Sequence, residues 1–242
     1  YVSPALARKL GIYRERAGNE NNPVLEVEFQ GRKARIPAWI QPGTADDVIV
    51  VHFGYGRKRA GRVGTGVGHN VFALRSSSHP WFGSQAKVTT TGETYLIAST
   101  QNHFVMEGRN PVRVVDAEEY RQDPKLVAEM GPERPPEHES VFAREWEDGT
   151  VTATPFRYDG HKWGMAIDLN ACTGCSACVI ACVAENNIPV VGKEQVSRSR
   201  EMHWLRVDTY FGGEADAVDA VHHQPIPCMQ CEAAPCEPVC PV

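Results

Sequence analysis

Apolar and polar residues alternate in short stretches through the first hundred positions of the chain. VLEVEF (24–29) alternates with period two, and RKARIPAWI (32–40) follows it after Gly31. Alternation of this kind is typical of half-buried strands, so the two runs predict a β-hairpin. Three further runs of strand length are VIVVHF (48–53), AKVTT (86–90) and YLIAST (95–100). Many short strands between Gly/Pro turns favour a barrel or a sandwich, and we assign residues 1–106 to this β domain.

The pattern changes over residues 107–160. This stretch holds six prolines and 13 acidic against 7 basic residues, including GPERPPEHES. Such a composition buries little apolar surface, so we expect an extended, solvated linker. Residues 161–242 then contain a strand-like GMAIDLN, a helical ACVIACVAENN and a strand-like HWLRVDTYF.

Length and charge limit the classes of function. The 242 residues are sufficient for one large or two smaller domains, and no run reaches the roughly 18 apolar residues of a membrane span. The net charge of −5 and the lack of a Lys/Arg block argue against nucleic acid as a partner. The chain starts YVSPALARKL, without an initiator Met or a signal-peptide core, so we expect processing or residues upstream.

All eight cysteines fall after residue 160. Cysteines two or three residues apart are poorly placed to bridge one another, so the clustered spacing favours metal over disulfides. This asymmetry predicts a separate metal-binding domain at 161–242.

The first cysteine run is CTGCSACVIAC, with the spacing x2, x2, x3. Its cysteines are Cys172, Cys175, Cys178 and Cys182. Two-residue gaps let thiolates converge from one loop on an iron–sulfur cubane, whose fourth ligand comes from elsewhere. On the predicted helix, Cys178 and Cys182 would be about 6 Å apart along the axis, so one loop can serve two clusters.

The second run is CMQCEAAPCEPVCPV, in which Pro241 follows the last cysteine. Its cysteines are Cys228, Cys231, Cys236 and Cys240. A proline in this position is typical of ferredoxin-type runs. A zinc ribbon is the structural alternative, but it uses two C-x2-C pairs and has no use for the third and fourth thiols of each run. The spacing therefore favours iron–sulfur clusters, with all eight cysteines as ligands.

The glycine-rich stretch GYGRKRAGRVGTGVG (54–68) has two interpretations. Its glycines and its four basic residues (Arg57, Lys58, Arg59 and Arg62) would suit a phosphate-bearing cofactor. No strand–GxGxxG–helix context surrounds it, so a flexible loop on a β scaffold is the alternative that we favour. The histidines at 52, 69, 79 and 103 lack ligand spacing and are interpreted as structural or surface residues.

Three stretches carry a family resemblance. The cysteine region (WGMAIDLNACTGCSACVIACVAENNIPVVGKEQV, MHWLRVDTYF and PIPCMQCEAAPCEPVCPV) resembles the ferredoxin-like iron–sulfur subunits of the dimethyl sulfoxide reductase and polysulfide reductase type. It matches the first two of that family's four cysteine motifs. Residues 24–75 resemble the C-terminal β-barrel domain of molybdopterin oxidoreductases. The two in this order resemble the large iron–sulfur subunit of bacterial alternative complex III.

The resemblance implies an α+β, mainly β fold: a barrel-like N-terminal domain, a linker and an incomplete multi-cluster ferredoxin-like domain. It also implies [4Fe–4S] clusters, allows for one [3Fe–4S] cluster in a complete subunit, and predicts no molybdopterin, which would make the glycine-rich loop a relic. Vestigial and cofactor-binding versions of that loop both stay open on the residues alone.

The function that follows is electron transfer without a catalytic acid, base or nucleophile in this chain. By resemblance, electrons come from a quinol oxidised in a membrane-integral partner and pass to c-type cytochrome subunits, on the periplasmic side of the bacterial inner membrane. A molybdopterin-dependent oxidoreductase fused to its iron–sulfur chain and a zinc-stabilised interaction module are the alternatives.

Two pairings of the cysteines are open. In a two-cluster ferredoxin, the first three cysteines of each run share a cluster with the last cysteine of the other run, and eight suffice. In the four-cluster family, each run pairs with a motif beyond Val242. The long insertion between Cys182 and Cys228 resembles the four-cluster pattern, so we expect further ligands in a continuation of the same polypeptide.

Overall fold

A three-stranded antiparallel sheet confirms the predicted hairpin. Strand β1 (Asn21–Phe29) pairs with β2 (Arg32–Pro37) on one side and with β3 (Lys87–Leu96) on the other. The computed structural model describes residues 1–14, 20–131, 139–161, 164–228 and 234. AKVTT and the start of YLIAST, predicted as two strands, are parts of the single strand β3.

The central strand β1 follows its sequence pattern. Leu25 and Val27 are both 2% exposed, whereas the glutamates between and after them face the basic residues of β2. The Lys33 Nζ lies 2.7 Å from Glu26 Oε1, and Arg35 also pairs with Glu26. These cross-strand ion pairs are solvent-accessible, so burial of the apolar face is the larger stabilising effect.

Helix α1 (Pro4–Lys9) packs its apolar side against this sheet. The buried hydroxyl of Ser3 accepts a hydrogen bond from the Leu6 N–H at 3.0 Å, and proline at the first helical position has no N–H to satisfy. One core cluster comprises Val2, Ala7, Ile12, Leu25 and Ala38. A second comprises Val27, Ala34 and Leu74.

The remaining elements are short, except around the cysteines. Before the predicted linker lie α2 (Gly61–Gly64) and a 3-10 turn (Phe72–Leu74). Within it lie α3 (Ala117–Gln122), α4 (Leu126–Glu129), β4 (Arg144–Glu145) and β5 (Val151–Thr152). After it follow α5 (Ala177–Glu185), α6 (Lys193–Val196), β6 (Arg206–Glu214) and β7 (Ala217–Ile226). Helix α5 and strand β6 confirm the helical and strand-like patterns of ACVIACVAENN and HWLRVDTYF.

Two predicted strands are wrong. VIVVHF contributes only an isolated bridge between Ile49 and Val2, and Val48 and Val50 are 46% and 42% exposed. GMAIDLN forms no strand in its described residues, and its apolar Met165 is 61% exposed. Both runs lack a partner strand that would complete the backbone hydrogen bonds.

The chain divides into two compact units. One comprises residues 1–108 and 176–223, and the other comprises 109–175 and 224–242. The boundary falls inside the first cysteine run, between Cys175 and Ser176. The barrel-like architecture and the domain limits at 106/107 and 160/161 stay predictions. Among the described residues, no helix combines the length and apolar content that a membrane crossing requires.

Within the first unit, strand β6 is fastened to residues 101–106. The Gln101 side chain donates to the Thr209 carbonyl at 2.8 Å and accepts from the Thr209 N–H at 2.9 Å. The Phe211 N–H donates to the Phe104 carbonyl at 2.7 Å, and the two phenyl rings meet edge to face with centroids 5.7 Å apart. We call this contact between residues 101–106 and β6 the seam.

We predict that Gln101→Ala lowers the free energy of unfolding by about 1–3 kcal/mol, because it leaves a backbone donor and acceptor of Thr209 without partners. Amide exchange at Thr209 should accelerate in native conditions. Gln122→Ala, on an exposed helix face, is the control. Wild-type exchange at Thr209 in the Gln101 variant would contradict this account of the seam.

Candidate metal centre

The first two cysteines follow a turn organised by Asp168. Its carboxylate accepts from the Asn170 N–H at 2.9 Å, and its carbonyl accepts from the Cys172 N–H at 3.0 Å. Gly174, between the cysteines, has φ +66°, a conformation that glycine adopts without strain. Cys172 is half-buried and Cys175 is exposed. The turn thus fixes the backbone that enters the cysteine loop.

The last two cysteines of the run lie on helix α5. Ser176 precedes the helix in the left-handed conformation, with φ 60° and ψ 15°, and its side chain makes no capping hydrogen bond. Cys178 lies in the first turn and Cys182 four residues later, about 6 Å further along the axis on the same face. The first turn of α5 contains no acidic residue, so its N–H groups favour an anionic group such as a cluster.

Cys182 is enclosed by the end of its own helix. The Asn186 side-chain nitrogen Nδ2 lies 3.0 Å from the Cys182 carbonyl oxygen and 3.5 Å from Cys182 Sγ. The chain then turns, and Ile188, only 6% exposed, donates its N–H to the Val183 carbonyl at 3.0 Å. Cys182 is half-buried as a result, whereas Cys178 is exposed. Sequence analysis missed Asn186, although its position four residues after the last cysteine of a helical run is a usable signal.

Five of the eight cysteines predicted as ligands belong to the described residues. Cys228 is exposed and follows β7 closely, while Cys231, Cys236 and Cys240 lie outside the described residues. In the described part of the chain, no three His, Cys, Asp or Glu side chains are grouped closely enough to hold a metal ion. The assignment of all eight cysteines as ligands therefore stays a prediction.

The donor chemistry of the loop and helix suits an iron–sulfur cluster. Cys172, Cys178 and Cys182 are free thiols rather than disulfide partners, and thiolate sulfur is the ligand that iron–sulfur clusters require. A side-chain amide directed at Cys182 Sγ is an outer-shell hydrogen bond of the kind that tunes such clusters.

Two glycines of the glycine-rich loop are packed closely against neighbouring residues. A Cβ at Gly56 would lie 2.4 Å from the Asn70 backbone nitrogen, and a Cβ at Gly68 would lie 2.8 Å from the Tyr55 Cβ. Both glycines also have positive φ. The loop's four basic side chains, Arg57, Lys58, Arg59 and Arg62, are exposed. Close packing against Asn70 and Tyr55 thus accounts for two of its glycines without a phosphate.

The same loop borders a cavity of about 650 Å³ within the first unit. Gly68 of the loop and the adjacent His69 line it, together with Tyr95 and Lys193. Lys193 Nζ lies 3.4 Å from the centroid of the Tyr95 ring, and the rings of His69 and Tyr95 meet edge to face at 4.7 Å. Burial lowers the pKa of His69, and the Lys193 ammonium acts in the same direction.

The other three histidines considered in the sequence analysis, at 52, 79 and 103, have local contacts. The His52 ring packs edge to face against Tyr1, with centroids 4.5 Å apart, and His79 Nδ1 lies 2.9 Å from Gln30 Nε2. The carbonyl of His103 accepts from the Gln101 side chain. None of the four belongs to a metal-binding group among the residues that the structure describes.

Comparison with known proteins decides the chemistry of the cysteine region. Residues 165–242 match the family model of a 4Fe-4S dicluster domain. These residues are an iron–sulfur domain. Its cofactors are iron–sulfur clusters, as the cysteine spacing predicts, and the zinc alternative is set aside.

Curated relatives match about a third of the chain. The chain is 44% identical over 81 residues to the iron–sulfur cluster-binding subunit of menaquinone reductase from Nitratidesulfovibrio vulgaris, covering 34% of this chain and 31% of the relative. It is 38% identical over 80 residues to a polysulfide reductase chain from Wolinella succinogenes, covering 33% and 37%. It is 33% identical over 93 residues to a putative dimethyl sulfoxide reductase iron–sulfur subunit from Halobacterium salinarum, covering 34% and 32%.

These matches confirm the resemblance to the iron–sulfur subunits of dimethyl sulfoxide and polysulfide reductases. The chain spans about a third of the length of each relative.

We predict that Cys175→Ala abolishes one cluster, because the remaining thiolates cannot complete the tetrahedral shell of one iron. Iron and acid-labile sulfide should fall by the content of one cluster, and one EPR signal of the reduced protein should disappear. Ser176→Gly is a suitable control, since glycine fits the left-handed conformation at the next position. Unchanged iron content and EPR spectrum in Cys175→Ala would refute the ligand assignment.

Proposed function

We propose that this chain is an electron-transfer subunit of a membrane-associated oxidoreductase complex. The observation that carries the proposal is the iron–sulfur domain at 165–242, with its two complete cysteine runs. Clusters of this type exchange single electrons at potentials from roughly −700 to +450 mV, set by burial and by hydrogen bonds to sulfur. No side chain of the domain needs to act as acid, base or nucleophile in that role.

The relatives support a relay function by what they share. Their names refer to menaquinone, polysulfide and dimethyl sulfoxide, which are chemically unrelated. Each of them shares with this chain a stretch of 80 to 93 residues, about the length of the iron–sulfur domain. A common element among different substrates is expected for the part that carries electrons, while substrate chemistry resides elsewhere.

The finer proposal is a quinol-oxidising respiratory complex of the alternative complex III type. It rests on the resemblance of residues 24–75 to a molybdopterin-oxidoreductase β domain, which precedes the cysteine motifs in the chain. In this proposal, electrons from a quinol oxidised in a membrane-integral subunit pass through the clusters to c-type cytochrome subunits. The chain is then membrane-associated through its partners, on the periplasmic side of the bacterial inner membrane, and binds no molybdopterin.

A molybdopterin-dependent oxidoreductase is the second candidate. The observation in its favour is that the glycine-rich loop borders a cavity of about 650 Å³, a volume within the range of roughly 300–1,000 Å³ typical of ligand pockets. The exposed basic residues of the loop lie outside the lining of this cavity, which offers Lys193 as its cationic side chain. Metal content distinguishes the two candidates.

We predict that the isolated iron–sulfur subunit contains iron and acid-labile sulfide in about equal amounts, and that the complete complex lacks stoichiometric molybdenum or tungsten. A short-chain menaquinol should reduce the clusters anaerobically, with EPR signals that disappear on adding oxidised cytochrome c. The control is the apoprotein obtained by acid and chelator treatment. It should show no cluster EPR signal, either with menaquinol or after cytochrome c is added.

Two results would contradict the finer proposal. Molybdenum or tungsten at one atom per chain would favour the second candidate. Clusters that dithionite reduces but that quinol leaves oxidised, in the intact complex, would exclude quinol as the electron source while leaving the iron–sulfur domain in place.

A further inference from the structure

The amide of Asn186 makes two contacts with one cysteine. Its Nδ2 atom lies 3.0 Å from the Cys182 carbonyl oxygen and 3.5 Å from Cys182 Sγ. A carbonyl oxygen only accepts hydrogen bonds, so the atom that faces it must be the nitrogen of the amide. That nitrogen carries two hydrogens, one for the carbonyl and one for the sulfur. The first contact thereby orients the second.

The backbone holds this geometry in place. The Asn186 N–H also donates to the Cys182 carbonyl, at 3.1 Å, and the next residue, Asn187, has the left-handed φ of 51° that ends the helix. The buried Ile188 then anchors the turn. The amide is therefore placed by the local fold and needs no contact with a partner.

A donor at a ligating sulfur affects the two redox states of a cluster unequally. Reduction adds one electron, which increases the negative charge on the cluster and its thiolates. An N–H directed at sulfur stabilises the reduced state more than the oxidised state, and so raises the reduction potential. Removing the donor should lower the reduction potential of the cluster.

We propose that Asn186 is a positioning residue that raises the reduction potential of the cluster bound by Cys182. The inference rests on Cys182 being a ligand of the proposed electron-transfer domain. The competing explanation is that Asn186 only caps helix α5 through the Cys182 carbonyl, in which case it contributes to stability but not to the potential.

Two variants in the full-length protein separate these explanations. Asn186→Ala removes both side-chain N–H donors. Asn186→Asp keeps the shape of the side chain but replaces the amide with a carboxylate. The matched control is Asn187→Gly, which changes the adjacent exposed asparagine at a position that glycine tolerates. Each protein is titrated with dithionite and mediator dyes, and the clusters are followed by EPR.

We expect one cluster to become harder to reduce in Asn186→Ala. At a fixed potential, its ratio of reduced to oxidised form should fall about threefold to tenfold, or roughly 30–60 mV for a one-electron couple. Asn186→Asp should lower the potential further because it adds a negative charge. The other clusters and the Asn187→Gly control should keep their wild-type potentials.

Unchanged potentials in both Asn186 variants, with clusters retained and thermal stability reduced, would overturn the proposal in favour of a simple cap. If both variants lose the cluster, pulsed EPR of the reduced wild-type protein in D₂O decides: the absence of a coupled, exchangeable amide deuteron would also overturn it. Cys182→Ser tests the premise separately, since an unaltered EPR spectrum there would refute ligation by Cys182 rather than the hydrogen bond.

Discussion

The seam formed by Gln101 and strand β6 is the constraint on which the first unit depends. It joins two segments more than a hundred positions apart, through both backbone groups of Thr209 and the paired rings of Phe104 and Phe211. A half-buried backbone donor and acceptor must find partners, so this side chain does for β6 what a neighbouring strand would otherwise do. Residues 176–223, which include Cys178 and Cys182, belong to the same compact unit as the β sheet.

One further contact lies between the seam and helix α5: Lys193, on α6, lies over the ring of Tyr95 at the end of β3. Ile188 is buried just beyond the end of α5. The stretch between α5 and β6 is thus held against the sheet by the seam and by the Lys193–Tyr95 contact. Rigid support of this kind matters for electron transfer, because cluster potentials depend on fixed distances between sulfur atoms and hydrogen-bond donors.

The sequence predicted elements that carry their own pattern and missed those that need a distant partner. The β1–β2 hairpin was predictable because the alternation around Leu25 and Val27 lies next to a tight turn. Helix α5 was predictable from its apolar composition and the Pro189 that follows. VIVVHF is a continuous apolar run and GMAIDLN alternates, yet neither run pairs in a sheet: Val50 lines a cavity and Met165 is exposed. Strand pairing is a long-range property, and local pattern does not determine it.

The candidate site shows the same division. Cysteine spacing alone indicated the iron–sulfur chemistry, because the spacing is a local requirement of the cluster. The environment of each thiol was not predictable, since it depends on how the chain turns after the helix. Cys178 is exposed in the first turn of α5, whereas Cys182, four residues later, is half-buried beside an amide donor. Solvent exposure and hydrogen bonding to sulfur both set cluster potentials, so if this helix serves two clusters it offers them unequal surroundings. Two clusters of unequal potential exchange electrons preferentially in one direction, and under that condition the inequality would originate in a single turn of helix.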